Sequence, residues 1–233
     1  MRFAKPLLAL SGVLLLSACA SSPEQPTDAA TAEAEMAQAE ASEQAFNAAL
    51  PPGPVTINPY LQGPAPKVSA DIQNSFATAQ QQMTQQRWSD ARHTLQALVV
   101  QAPELSGPWL NLGIVWVQLN EPGQARAAFD RALAANPLNV DAYNHLAALE
   151  RREGNFAQAQ ELYEQALAVW PHSIASHKNL GILQDIYTGD WPQALLHYQA
   201  AQYLTEQTQG APDTQLAGWI IDLQRRMTAQ GAQ

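Results

Sequence analysis

The pentapeptide Trp109-Leu110-Asn111-Leu112-Gly113 recurs 34 residues later as Tyr143-Asn144-His145-Leu146-Ala147, and after another 34 as His177-Lys178-Asn179-Leu180-Gly181. A fixed period of this length constrains the chain to a stack of like units, each burying an apolar face that it cannot bury alone. Behind the first copy stand Ala125, Phe129, Ala132 and Pro137; one period on, behind the second, stand Ala159, Tyr163, Ala166 and Pro171. Behind the third, Ala194, Tyr198 and Ala201 arrive one residue late, which puts a single inserted residue near Tyr187-Thr188-Gly189. One period upstream, Ala91, Leu95, Leu98 and Pro103 fit, but Ser75 replaces the opening aromatic. The units therefore read as 72–105 (degenerate), 106–139, 140–173 and 174–208 within a repeat region 68–208.

The aromatic-Leu-Gly opening, the Ala-x3-Phe step and the closing proline resemble the tetratricopeptide repeat (TPR). The resemblance implies an all-α solenoid of helix-turn-helix units. Small residues such as Gly113, Ala125 and Ala132 are expected where paired helices approach closely, with Trp109, Leu112, Trp116 and Phe129 filling the space between units. Pro122-Gly123 is placed to open a second helix, and Gly154-Asn155 and Gly189-Asp190 to cap the next two. Pro103, Pro137 and Pro171 end the second helices, because the residue before proline is disfavoured in helical geometry. On helix propensity alone, Gly113→Ala is expected to be mild or favourable. Beyond Gly210-Ala211-Pro212, Asp213 is read as the cap of a last helix within 209–233. There Leu216, Trp219, Ile220, Leu223 and Met227 share one face and cover the end of the stack.

The amino terminus carries a second signal. Arg2 and Lys5 precede an apolar run, Leu7 to Leu16, that is too short to span a bilayer, and Leu16-Ser17-Ala18-Cys19 follows. This resembles a bacterial lipobox. The resemblance implies a signal peptide over 1–18, acylation of Cys19 (the palmitate-bearing residue) and, because Ala20 rather than aspartate follows, sorting to the outer membrane with the protein facing the periplasm. Cys19 is the only cysteine, so an internal disulfide is excluded and acylation accounts for the thiol. Residues 19–67, rich in Ala, Glu, Gln and Pro with two Pro/Gly breakers, read as a disordered, solvated tether.

Charge and motifs remove several function classes. With 12 basic and 21 acidic residues the chain stands at −9, and at about −11 once Arg2 and Lys5 leave with the signal peptide, so nucleic acid is excluded as a partner. No nucleophile elbow, zinc-protease helix or phosphate-cradling loop is present. The five histidines are scattered, with His172 and His177 the nearest pair at a spacing that matches no metal motif. The pairs Glu150/Glu153 and Glu161/Glu164 have helical surface spacing and read as solvated faces. No enzyme, metal or cofactor is expected.

What remains is the inner face of the solenoid, where the resemblance places ligand-facing side chains on each first helix. In the second unit these are Leu110, Ile114, Val117 and Gln118. The third unit offers Asp141, Asn144, Arg151 and Arg152, and the fourth Lys178, Ile182, Asp185 and Ile186. Phe76, Gln80 and Met83 are weaker first-unit equivalents. Together they describe an apolar floor beside a basic and amide patch, suited to a protein or peptide partner. Self-association, or coverage of the floor by the tether, is the alternative use of the same face. The functional expectation is a non-enzymatic adaptor or assembly lipoprotein, similar to the TPR lipoproteins that assist pilus assembly or scaffold cell-wall enzymes. The alternative is a permanent structural subunit of a pilus, secretion or transport complex.

Overall fold

In the computed structural model, residues 44, 46–47, 50, 53–64 and 66–231 are described. The stretch read as a signal peptide and lipobox, with Cys19, lies outside them. Short polar side chains start most of the helices. Ser69, Asn139, Ser173, Asp190 and Asp213 each accept a backbone N–H from the turn that follows, at 3.1–3.4 Å. The first unit pairs α1 (Ala70–Thr84) with α2 (Trp88–Gln101), and the second pairs α3 (Ser106–Gln118) with α4 (Pro122–Ala135). The third pairs α5 (Val140–Arg152) with α6 (Phe156–Val169). In the fourth, α7 (Ile174–Ile182) runs into a π-helical turn (Leu183–Thr188) before α8 (Trp191–Gln209), and α9 (Thr214–Gly231) closes the stack.

The closest approaches follow the repeat. The Phe129 ring fills the space over Gly113, and the Tyr198 ring that over Gly181; a Cβ at these glycines would lie 2.4 Å from Phe129 Cε1 and 2.6 Å from Tyr198 Cδ1. Both rings are almost fully buried, so neither can swing aside at little cost. Propensity is therefore a poor guide to Gly113→Ala: steric overlap decides it, and the substitution is unfavourable. In the third unit the same pair is Ala147 and Tyr163, both without exposed surface.

Glu150 corrects another expectation, since it is fully buried instead of solvated. Arg126 Nε donates to one carboxylate oxygen at 2.6 Å and Asn155 Nδ2 to the other at 2.7 Å. Burial pushes this carboxyl up, but the two donors outweigh it and hold the group below its usual range. Asn155 thus spends its side chain on Glu150, and makes no cap bond to α6.

The inserted residue of the fourth unit is absorbed where the sequence puts it. The first helix widens into the π turn, which ends on Gly189 at φ +74°. Beyond it α9 lays Leu216 and Leu223, with Trp219, Ile220 and Met227, against Ala194, Tyr198 and Ala201 of α8.

The stretch read as solvated tether is in part docked. Leu50, Phe46 and Val55 pack against Ile174, Ala200 and Leu204, and the Phe46 ring meets Tyr203 edge-on at 5.9 Å. His172 Nδ1 accepts the Thr56 N–H at 2.9 Å, while Trp170 Nε1 donates to the Thr56 carbonyl at 3.0 Å. Tyr60 reaches the start of α3, beside Gly107. Composition concealed this because four apolar anchors are spread thinly among Pro, Gly and polar residues. Among the described residues, this strap meets the loop at Trp170 and His172, the starts of α3 and α7 at Gly107 and Ile174, and Ala200 and Leu204 of α8.

Candidate functional site

First helices of successive units pack directly on one another, α1 on α3, α3 on α5 and α5 on α7. Second helices do not pack to that extent, so the first helices line the concave side. The apolar floor is shared with the core. Leu110, Ile114 and Val117 are half-buried on α3 and lean on the cluster built by Phe129, Leu146, Leu149 and Tyr163. Gln118, one step further, is exposed.

The expected polar residues divide. Asn144 is buried, with Nδ2 donating to the Val140 carbonyl at 3.0 Å and to Ser176 Oγ at 2.8 Å, so it ties the third unit to the fourth. Lys178 pairs with Asp213 at 3.1 Å, sits 5.0 Å above the Trp219 ring, and belongs to the seat of α9. Ile182 is packed in that same seat. Asp141 and Arg152 are exposed. In the first unit Phe76 and Met83 pack into the core between units, whereas Gln80 is exposed.

Arg151 is where a constellation forms. Its guanidinium lies over the Tyr187 ring at 5.7 Å, and that ring is tilted against Phe156 at 5.1 Å. Beneath it the Tyr163 hydroxyl is buried without a hydrogen-bond partner, and burial, partly offset by Arg151, pushes its phenol up to about 12. Arg151 Nη1 is also buried and unpartnered. Beside them Asp185 takes a 2.7 Å bond from Arg226 Nη2 and a 3.4 Å bond from the Tyr198 hydroxyl. Burial, and then the neighbouring carboxylate, raise the Tyr198 phenol. Ile186 and Tyr187, carried outward by the π turn, are 64% and 46% exposed. Sequence reasoning placed Arg151, Asp185 and Ile186 here but missed Tyr187, Tyr163 and Arg226. The one-residue slip in the repeat was the available signal.

The histidines are less scattered than their spacing implies. His177 Nδ1 and His197 Nδ1 stand 2.9 Å apart, and His177 Nε2 donates to the Pro171 carbonyl at 2.9 Å. Burial pushes His177 down to about 4 and His197 to about 3. Among the described residues, no group of three or more potential ligands is placed to hold a metal ion.

Comparison with known proteins agrees with the architecture. Tetratricopeptide repeat family profiles match residues 76–139, 110–157 and 139–206, which together span more than half of the chain. Tetratricopeptide repeat protein 8 of Homo sapiens is 37% identical over 82 residues; the match covers 35% of this chain but only 15% of that protein. Among solved structures, PilF of Pseudomonas aeruginosa superposes with a TM-score of 0.60 at 16% identity, covering 68% of this chain and 69% of that one. A crystal structure of MamA gives 0.55 at 22% identity, covering 60% and 82%. At these identities the two structures report the fold alone.

Proposed function

This chain belongs to the tetratricopeptide repeat family, and from that premise we propose that it is a non-enzymatic adaptor which recruits a protein partner to the concave face of its solenoid. Repeats of this family commonly bind peptides or proteins. The observation that carries the reading is the open stretch of that face between Gln118 and Ile186. Here exposed apolar and aromatic side chains adjoin an arginine that no carboxylate of the described residues neutralises. In keeping with the lipobox, the adaptor is lipid-anchored through Cys19 at a bacterial outer membrane and faces the periplasm, with an envelope process such as pilus assembly as its setting.

Crosslinking in intact cells tests this. A photoreactive residue at position 118 or 186 is expected to yield one defined protein adduct, while one at Gln96, exposed on the second-helix side, yields none. Equal labelling from all three positions would remove the concave face from consideration. Anchoring is tested separately: Cys19→Ser is expected to abolish incorporation of radiolabelled palmitate. Continued labelling would defeat the lipoprotein reading without touching the adaptor.

A further inference from the structure

Among the described residues, three of the five half-buried cations of this acidic chain are paired with carboxylates: Arg126 with Glu150, Lys178 with Asp213, and Arg226 with Asp185 and Asp222. Arg92, over the Trp116 ring, keeps a buried Nε without a partner but still meets the neighbouring His93 Nε2 at 3.1 Å. Arg151 has neither carboxylate nor hydrogen-bond acceptor among the described residues, and one of its nitrogens is fully out of solvent. A partly desolvated guanidinium without a counter-charge is costly, in a molecule with 21 acidic residues from which to supply one. Glu150 is engaged by Arg126 and Asn155, Asp185 by Arg226 and Tyr198, and Glu153, two residues on, is exposed and makes no ion pair with Arg151.

The surroundings define what would complete the pair. The guanidinium lies over the Tyr187 ring at 5.7 Å, and its planar fork of donors suits a planar, bidentate acceptor such as a carboxylate. Ile186 and Tyr187 supply apolar surface next to it, and Phe156 backs the tyrosine from α6. Ile186 and Tyr187 both belong to the π turn that accommodates the extra residue of the fourth unit.

Resting on the adaptor reading above, we infer that Arg151 and the π turn form an acidic-peptide site, which takes a partner's Asp or Glu carboxylate on Arg151 and an adjoining apolar side chain on Ile186 and Tyr187. The occupant is an extended acidic segment of a partner protein interleaved with aromatic or aliphatic residues. The site lies at the turn end of the first helices, away from the edge held by the strap.

The test titrates the full chain with a fluorescein-labelled peptide, acetyl-Glu-Phe-Glu-Leu-Glu-Phe, and with analogues carrying Gln or Lys in place of every Glu. The acidic peptide is expected to bind about tenfold or more tightly than the Gln analogue, as a hydrogen-bonded charge pair would confer, with the Lys analogue weakest. Arg151→Gln is expected to erase the preference for Glu over Gln, and Arg151→Lys to keep part of it. Tyr187→Ala is expected to weaken both peptides. Thermal melts of each variant separate loss of the site from loss of the fold. An Arg151→Gln protein that melts like the parent and still prefers Glu would overturn the inference, as would equal binding of the three peptides by the parent. If crosslinking from positions 118 and 186 nevertheless captured a partner, the adaptor reading would stand and only this site would fall.

Discussion

The third and fourth units are built on the same two-helix plan, yet one is closed upon itself and the other is opened at its end. In the third unit Ala147 meets Tyr163, Glu150 is neutralised by Arg126 and Asn155, and the turn to α6 is tight, with Gly154 at φ +85°. In the fourth, Gly181 meets Tyr198 in the same way, but the added residue loosens the helix into a π turn that leaves Ile186 and Tyr187 in solvent. The shared positions specify packing. The single departure from the period brings a residue of the fourth unit, Tyr187, onto a residue of the third, Arg151, at the open face.

The largest effects should come from the shared positions. Gly113→Leu and Gly181→Leu drive a side chain into Phe129 or Tyr198, and each is expected to cost about 3 kcal/mol in denaturant melts. The reverse change in the third unit, Ala147→Gly, removes only a methyl, and should cost about 1 kcal/mol. Similar melts for all three would dissolve the equivalence of the units.

Next in size is the pair of buried acceptors on Glu150. Glu150→Ala removes the charge-assisted bonds from the Asn155 amide and the Arg126 guanidinium and empties a buried site, and should cost about 2 kcal/mol near neutral pH. Because the folded group lies below its usual range, its contribution is complete above the unfolded value and fades as pH falls through the folded one. The cost of the substitution should shrink in strong acid. A penalty independent of pH would mean that packing, not charge, holds this residue in the third unit.

The fourth unit has its own acid sensitivity. His177 and His197 stay neutral in the fold down to about 4 and about 3, so below the ordinary value of 6.5 the unfolded chain binds more protons. Stability is expected to be full above pH 6.5 and to fall steadily toward pH 4, and His197→Leu should flatten that decline. The smallest effect is at the strap, where Trp170→Phe deletes one hydrogen bond to the Thr56 carbonyl and should cost about 1 kcal/mol. Loss of amide protection confined to residues 53–62 would locate that effect.

The stacking of helices was legible in the sequence because it depends on residue size at fixed intervals, which Gly113, Phe129, Gly181 and Tyr198 display openly. The partners of individual polar groups were not. Asn144 and Glu150 occupy positions that look solvent-facing on a single helix, yet both are buried, and each has a partner in a neighbouring unit, Ser176 and Arg126. His197 lies 20 residues from the ring it touches. Arg226 reaches Asp185 from α9, which no local pattern links to the fourth unit. The strap escaped notice because a few anchors in a proline-rich stretch carry no periodicity.

The claim that the inserted residue builds the binding edge is tested most directly by deleting Thr188, which restores the 34-residue spacing. The measurement is the affinity of the acidic peptide for this variant, taken beside its thermal melt. We expect the helices to remain and stability to change by no more than about 1 kcal/mol, since the packing positions are untouched. Binding should fall about tenfold, because Tyr187 turns away from Arg151. A folded variant that binds the peptide as tightly as the parent, or one that no longer folds, would contradict the account.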